Sequence, residues 1–213
     1  MKVLGIVCSP QKNGNTEIMM KEALAGASSC GAESELWTVA GKELKPCDAC
    51  SSCNKTGKCH INDDMQELYP KVLAADGLIF GSPAYFRSLT AQAKMVVDRL
   101  YCLYYQDVLP DKVAGVISIA TAHGHDGVWA PFRQFFELCH MFPADCIWGF
   151  AQRKGDIRKD RFGMKASEEL GKQVVSLIKQ KLHLPKEYRR HVYRICDETH
   201  GISHYPLQDL VSR

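Results

Sequence analysis

The sequence has no long apolar run, no strong excess of either charge and no internal repeat. None of its apolar stretches reaches the roughly 18–20 residues that cross a bilayer, so we expect no membrane association. Lysine and arginine number 27 against 24 aspartate and glutamate residues, an excess too small to favour nucleic acid as a partner. Met1 and Lys2 lead directly into strand-like sequence, which predicts no signal peptide and a cytoplasmic location. An apolar fraction of 46% excludes a disordered, collagen-like or coiled-coil chain.

The chain does have a regular alternation of short apolar runs and longer amphipathic segments. The strands predicted from it are residues 2–8, 35–39, 77–81, 113–120 and 146–150, and the helices are 15–27, a segment starting near 63–64, 90–103 and 166–182. Such alternation implies an α/β fold with a parallel sheet covered on both faces. Right-handed crossovers and five strands favour the flavodoxin-like order 2-1-3-4-5. We assign this domain to residues 1–184 and interpret the polar, basic tail over 185–213 as an arm or an oligomer contact.

A polar segment follows the first strand, where the chain enters the first helix. Backbone N–H groups at a helix N-terminus bind anions, and nearby hydroxyl groups add donors. The spacing is neither the GxGxxG of dinucleotide-binding folds nor a P-loop. An ordinary turn with Asn15 as the N-cap is the alternative. The predicted phosphate-binding residues are Ser9, Gln11, Lys12, Asn15 and Thr16.

Two more loops follow the third and fourth predicted strands and therefore lie at the same edge of the sheet. Open α/β sheets bind ligands there, at the switch point between strands 1 and 3. Residues 81–86 offer apolar and aromatic walls to a flat ligand, and residues 121–127 are rich in glycine and histidine. A packing turn and a solvated loop histidine are the alternatives. The candidate ring-binding residues are Pro83, Ala84, Tyr85, Phe86, Thr121, His123 and Gly124.

Four of the ten cysteines fall within thirteen positions. Without an export signal, such clustering favours metal or redox chemistry over disulfides. The spacing C-x2-C-x2-C-x5-C is typical of a [4Fe–4S] cluster, with a tight, non-helical loop turning the sulfurs inward. A structural zinc ion, a thiol–disulfide redox site and cysteines without a ligand stay open. The candidate ligands, within an inserted loop over 46–60, are Cys47, Cys50, Cys53 and Cys59; Cys8, Cys30, Cys102, Cys139, Cys146 and Cys196 are interpreted mainly as packing residues.

These motifs resemble those of one superfamily. Ser9-Pro10-x-Lys12-x-Gly14-Asn15-Thr16 is similar to the FMN-phosphate loop of the NADPH-dependent FMN reductase superfamily, although Gln11 stands where many relatives carry arginine. Residues 81–86 resemble its Ser-Pro-x-Tyr flavin loop, and Lys94, Asp98 and Arg99 match the helix that usually follows. The four-cysteine motif between the second strand and the next helix is similar to that of archaeal and anaerobic iron–sulfur flavoproteins. The resemblance covers about residues 1–150.

The resemblance implies FMN and a [4Fe–4S] cluster as cofactors of an oxidoreductase without a catalytic side chain. Electrons would pass from a ferredoxin-like donor through the cluster to FMN, and then to a small acceptor such as oxygen or peroxide. It also implies a homodimer or homotetramer. Two other functions stay open. One is an NAD(P)H-dependent FMN or quinone reductase whose cysteines are structural or bind zinc, and the other is a non-catalytic flavin or zinc sensor.

Overall fold

Five apolar segments form one parallel sheet in the computed structural model, which describes residues 1–189. The strands are β1 (Lys2–Val7), β2 (Glu33–Thr38), β3 (Gly77–Pro83), β4 (Val113–Ala120) and β5 (Phe142–Phe150). Their order is β2-β1-β3-β4-β5, which confirms the predicted flavodoxin-like topology. β4 is buried along its whole length, as expected of a central strand covered on both faces.

Seven α-helices lie between or after these strands in the described part of the chain. They are α1 (Asn15–Ser29), α2 (Ser52–Thr56), α3 (Met65–Ala74), α4 (Ala91–Arg99), α5 (Tyr101–Tyr105), α6 (His125–Leu138) and α7 (Arg161–Lys179). No helix within residues 1–189 combines the length and the apolar character needed to cross a membrane.

The main unit spans Met1–Leu182, and a second unit begins at His183 with a short 3-10 turn at Lys186–Tyr188. From residue 190 onward, the predicted tail and Cys196 lie outside the described residues.

The predicted helix over 90–103 is wrong as one continuous element. It breaks at Leu100, which closes α4 and precedes α5. The carbonyl of Arg99 accepts a hydrogen bond from the Tyr69 hydroxyl (3.3 Å), a side-chain contact from another helix. That long-range partner explains why local periodicity did not reveal the break.

Sequence patterns predict no helix or strand between the fourth and fifth strands, but this segment forms α6. Pro131 lies inside this helix and has no N–H to donate to the carbonyl of Gly127, four residues earlier. The Ser88 hydroxyl donates to that carbonyl instead (3.3 Å). The boundaries of the last two elements also differ from prediction, since β5 begins at Phe142 and α7 ends at Lys179.

Helices α1 and α7 cover one face of the sheet and touch each other backbone to backbone. A Cβ atom placed on Gly171 would lie 1.8 Å from the carbonyl oxygen of Ala23, and one on Gly26 would lie 2.1 Å from that of Glu168. The other face is covered by α3, α4, α5 and α6, which bury a core that includes Phe80, Phe132 and Phe136.

We expect Gly171→Ala to destabilise the protein by about 2–3 kcal/mol, because the added methyl group forces two packed helices apart. This loss outweighs the gain of up to about 1 kcal/mol that alanine brings to a helix. Urea unfolding measures the difference. Ser176→Ala on the exposed face of α7 is the control and should change stability by less than about 0.5 kcal/mol. A Gly171→Ala protein as stable as wild type would contradict the close helix contact.

Candidate functional site

The loops after β1, β3 and β4 meet at the carboxyl edge of three adjacent strands. Main-chain hydrogen bonds join them: Cys8 N–H donates to the carbonyl of Gly81 (2.7 Å), and Ala84 N–H donates to that of Ile119 (2.7 Å). Thr90, fully buried at the start of α4, donates through Oγ1 to the carbonyl of Cys8 (2.7 Å). The ends of β1 and β3 are therefore fixed relative to each other and to α4.

The loop after β1 leads into α1 and leaves the start of that helix without a side-chain cap among residues 1–189. Gly14 is the N-cap, so the alternative of an Asn15 cap is wrong. Asn13 N–H donates to Glu17 (2.8 Å), and Gly14 N–H donates to the carbonyl of Gln11 (3.2 Å). These contacts turn the loop tightly, so that the first N–H groups of α1 can bind an anion.

Four of the five predicted phosphate residues are clearly exposed or buried, whereas Asn15 is partly buried. Gln11 and Lys12 are exposed, whereas Ser9 and Thr16 are buried. The Ser9 hydroxyl accepts a hydrogen bond from the N–H of Gln11 (3.3 Å), which shapes the turn. Thr16 lies against Gly81, because a Cβ on that glycine would come within 2.9 Å of the Thr16 methyl group.

Asn15 uses its side chain in another way. Its Nδ2 donates to the carbonyl of Arg153 (3.0 Å), and its Oδ1 accepts from the N–H of Gly155 (2.8 Å). The side-chain amide therefore fastens the loop after β5 to the start of α1. A phosphate contact from Asn15 would have to come from its backbone N–H.

The loop after β3 contains a tight turn with a fully exposed aromatic side chain. Tyr85 and Ser88 exchange two main-chain hydrogen bonds (2.8 and 3.1 Å) around Phe86 and Arg87. The φ angles of Phe86 and Arg87 are +48° and +63°, the left-handed conformation that type I′ turns normally assign to asparagine and glycine. Pro83 and Ala84 are half-buried, whereas Tyr85 and Phe86 are exposed. Strained backbone that holds an aromatic ring in solvent is typical of a binding element.

The start of α6 packs directly against this turn. A Cβ atom on Gly127 would lie 1.8 Å from the carbonyl oxygen of Arg87, so only glycine fits there. Gly124 is buried with φ +98°, whereas Thr121 and His123 are exposed on the loop just before it. The structure therefore brings the second and third predicted loops together.

His125 was missed from sequence, where His123 was chosen. Its Nδ1 is 3.0 Å from the hydroxyl of Ser118, and its ring contacts Trp129 and Phe150, with centroid distances of 6.0 and 5.0 Å. Burial lowers the pKa of His125 below its ordinary value, which favours the neutral ring. The signal available in the sequence is its position five residues after the end of a buried strand.

The cysteine loop has an exposed side and a side packed on the core. Cys47 and Cys50 are exposed, whereas Cys53 and Cys59 are partly buried against the hydrophobic core. The prediction of a non-helical loop is wrong, because the short helix α2 spans Ser52–Thr56. Residues in left-handed conformation flank it, Ser51 before it and Gly57 after it, and allow the chain to reverse direction on both sides.

The other three thiols of the loop lie within electrostatic range of Cys53. Burial raises the pKa of the Cys53 thiol, and the neighbouring Cys59, Cys50 and Cys47 raise it further. Four thiolates in such a place repel one another, and a bound cation or cluster relieves that repulsion. The residues present therefore fit a metal centre.

Asp48, Cys50 and His60 form a separate set of metal-binding side chains on the exposed side of this loop. Among the described residues, theirs is the one set of three whose ligand atoms all lie within 4.8 Å of one another. It includes a single cysteine, so it differs from a site made of the four thiolates.

Both ends of the cysteine loop are held by Arg99. Its guanidinium forms a fully buried ion pair with Asp63 (2.6 Å) and donates to the carbonyls of Lys45 (2.8 Å) and Ile61 (3.3 Å). Burial alone would raise the pKa of Asp63, but Arg99 and the N–H groups of Lys45 and Met65 outweigh it and hold that pKa below its ordinary value. Asp63 is therefore ionised at neutral pH and anchors the base of the loop.

Comparisons with known proteins agree with this architecture. A family model described as NADPH-dependent FMN reductase matches residues 1–155. An iron–sulfur flavoprotein of Methanocaldococcus jannaschii is 36% identical over 189 residues, which cover 84% of this chain and 98% of that protein. One from Archaeoglobus fulgidus is 29% identical, covering 87% of this chain and 94% of its own. The structure of a flavodoxin, WrbA-like protein from Agrobacterium tumefaciens superposes with a TM-score of 0.62 at 15% identity. The match covers 85% of this chain and 98% of that protein.

The strand order, the uncapped start of α1 and the ligand loops along one edge define a flavodoxin-like protein. The chain belongs to the NADPH-dependent FMN reductase family and, within it, to the iron–sulfur flavoproteins. The resemblance drawn from the sequence motifs is thereby confirmed.

We expect the free energy of unfolding that Asp63 contributes to decrease at acidic pH. Because its folded pKa is depressed, this contribution is complete above its unfolded value of about 3.9 and is lost as the pH falls further. Asp63→Asn should cost about 3–5 kcal/mol at pH 7, since it leaves Arg99 as an unpaired buried charge. Urea unfolding between pH 3 and pH 7 tests both statements. An Asp63→Asn protein as stable as wild type at pH 7 would disprove the role of the ion pair.

The strained turn leads to a second expectation. Replacing Phe86→Asn together with Arg87→Gly should stabilise the ligand-free protein by about 1–3 kcal/mol, because both new residues tolerate positive φ. FMN affinity should fall by about tenfold as the aromatic wall is lost, which flavin fluorescence titration measures. Leu73→Asn, an exposed apolar residue on α3, is the control. Unchanged FMN affinity in the double variant would exclude the turn from the flavin site.

Proposed function

We propose that this chain is an electron-transfer flavoprotein with FMN and a [4Fe–4S] cluster as cofactors, acting in the cytoplasm. One observation carries the proposal. Four cysteines, three of them within electrostatic range of Cys53, lie in the loop after β2, at the same sheet edge as the three loops predicted to bind flavin. FMN exchanges one or two electrons and the cluster one at a time, so together they convert single-electron input into a two-electron reduction.

The phosphate of FMN would bind the N-terminus of α1. The backbone N–H groups there supply hydrogen bonds, and the exposed Lys12 supplies the positive charge, with Gln11 beside it. Ser9 and Thr16 contribute hydroxyls from the buried side of the loop. Backbone donors carry most of this contact, since the Asn15 side chain is bound to the loop after β5.

The flavin ring would lie along the loops after β3 and β4. Apolar and aromatic walls come from Pro83, Ala84, Tyr85 and Phe86, and the loop bearing Thr121, His123 and Gly124 closes over the other side. Packing of Gly127 on the turn fixes the distance between these two walls. The protein's own contribution is to bind, orient and shield the ring, and no side chain acts as an acid, base or nucleophile.

The cluster would be held by Cys47, Cys50, Cys53 and Cys59. The exposed side of this loop carries Lys45, Lys55 and Lys58, which are all exposed. A positive rim around an anionic cluster suits an acidic electron-donor protein of the ferredoxin type. The acceptor is a small oxidant such as oxygen or peroxide, and the working form is a homodimer or homotetramer.

Metal and flavin analysis of anaerobically purified protein tests the proposal. We expect about four iron and four sulfide per chain together with FMN. Cys53→Ser should lose the iron and keep the FMN, because the two sites use separate loops. Cys30→Ser, a half-buried cysteine outside the loop, is the matched control and should keep both.

Each rival function predicts a different result in the same experiment. Zinc without sulfide would identify a structural metal site. FMN without metal, combined with NADPH oxidation that Cys53→Ser leaves unchanged, would identify an NAD(P)H-dependent reductase. Protein that contains both cofactors but accepts no electrons from reduced ferredoxin would contradict the electron-transfer role.

A further inference from the structure

Arg99 is the largest fully buried side chain in the described chain, at the last residue of α4. It makes four hydrogen bonds with its two terminal nitrogens. Nη1 donates to the carbonyl of Lys45 (2.8 Å) and to Asp63 Oδ2 (2.6 Å), whereas Nη2 donates to the carbonyl of Ile61 (3.3 Å) and to Asp63 Oδ1 (3.0 Å). One planar group therefore binds the chain where it enters the cysteine loop and where it leaves it.

The same side chain lies close to the cysteines. The Ile61 carbonyl that accepts from Arg99 lies two residues after Cys59. The Tyr69 hydroxyl donates to the carbonyl of Arg99 (3.3 Å) and also interacts with the Cys59 thiol. Cys102, interpreted from sequence as a packing residue, is buried beside Cys53 and Cys59 in this layer. A permanently charged guanidinium thus lies within electrostatic range of the partly buried side of the thiol site.

An ion pair is a costly way to fasten a loop. The free-energy cost of removing both charges from water offsets most of the gain from their attraction. An apolar pair of the same volume often stabilises a fold equally well. An apolar pair, however, would neither bind two separated carbonyls nor place a positive charge near Cys59. Bidentate geometry and charge are what Arg99 adds beyond packing.

We propose that Arg99 is a positioning residue of the cluster site, which holds the entry and exit of residues 45–63 together before a cluster binds and raises the cluster's reduction potential. The inference rests on the proposed function. Reduction adds a negative charge to an already anionic group of iron, sulfide and thiolates. Within the buried ion pair, the Arg99 guanidinium offsets the negative charge of Asp63. Without it, that carboxylate would disfavour the more negative, reduced form, so Arg99 shifts the potential upward.

Two substitutions separate the anchoring of the loop from the charge. Arg99→Lys keeps the positive charge but cannot bond the carbonyls of Lys45 and Ile61 at the same time. Arg99→Gln loses both the charge and this pair of hydrogen bonds. Lys94→Gln is the matched control, since it removes an exposed positive charge on the same helix from an ion pair with Asp98. Melting temperature and FMN content are measured first, to establish that each variant is folded.

The first measurement uses full-length protein stripped of metal by a chelator. Trypsin cleavage after Lys55 and Lys58, followed by mass spectrometry, reports how often the loop leaves the core. We expect both Arg99 variants to be cut about tenfold or more faster than wild type, and Lys94→Gln to be cut at the wild-type rate. Wild-type protection in a folded Arg99→Lys or Arg99→Gln protein would overturn the anchoring role.

The second measurement is the midpoint potential of the cluster in protein loaded with iron and sulfide. It should shift downward in Arg99→Gln, whereas Arg99→Lys and Lys94→Gln stay close to wild type. An unchanged potential in Arg99→Gln, or an equal shift in Lys94→Gln, would overturn the electrostatic role.

If Arg99→Gln does not fold, the test uses Arg99→Lys alone. The anchoring role then predicts that trypsin cuts Arg99→Lys faster than wild type, while the cluster keeps the wild-type midpoint potential. If wild type binds no iron, the proposed function fails, and the cleavage rates alone decide on Arg99.

Discussion

Parallel strands place all their carboxyl ends along one edge, and this constraint organises the whole molecule. Every residue proposed to bind a cofactor lies at the end of β3 or in the segments that directly follow β1, β2, β3 and β4. Hydrogen bonds between neighbouring loops then set their spacing. Thr90 is central, because its buried hydroxyl joins the end of β1 to the start of α4 while its N–H bonds to Ser82 at the end of β3. Without such ties, the sheet would bring the loops to one edge but would not hold a flat ligand between them.

Much of this arrangement follows from local sequence patterns. Continuous apolar runs located all five strands, and the alternation with helices gave their order. The cysteine spacing and the Ser-Pro-x-Tyr segment located the candidate loops, since both depend on residues close together in the chain. The flavin-loop residues were identified on the same basis, although the role of each remains a prediction.

Several features that escaped prediction depend on partners distant in sequence. The break at Leu100 depends on Tyr69, and the tolerance of Pro131 inside α6 depends on Ser88. Asn15 was predicted to bind phosphate, but its side chain is fixed by a loop about 140 residues away. Sequence patterns select Arg99 only as part of the helix after the flavin loop, because its four hydrogen bonds are made to residues 45–63. Local patterns cannot show such contacts, since they arise only when the chain folds.

The anchoring of the cysteine loop at its base has a consequence for how such a protein can vary. Arg99 and Asp63 bring Lys45 and Ile61 together, so the segment between them leaves and rejoins the domain at one narrow neck. Lengthening a loop whose ends are already joined is cheap, about 0.6 kcal/mol for each doubling in length. The spacing between cysteines can therefore change while strands β1 and β3 and the flavin edge stay as they are. The cysteine segment is in this sense an exchangeable module, and the neck is the part that must be kept.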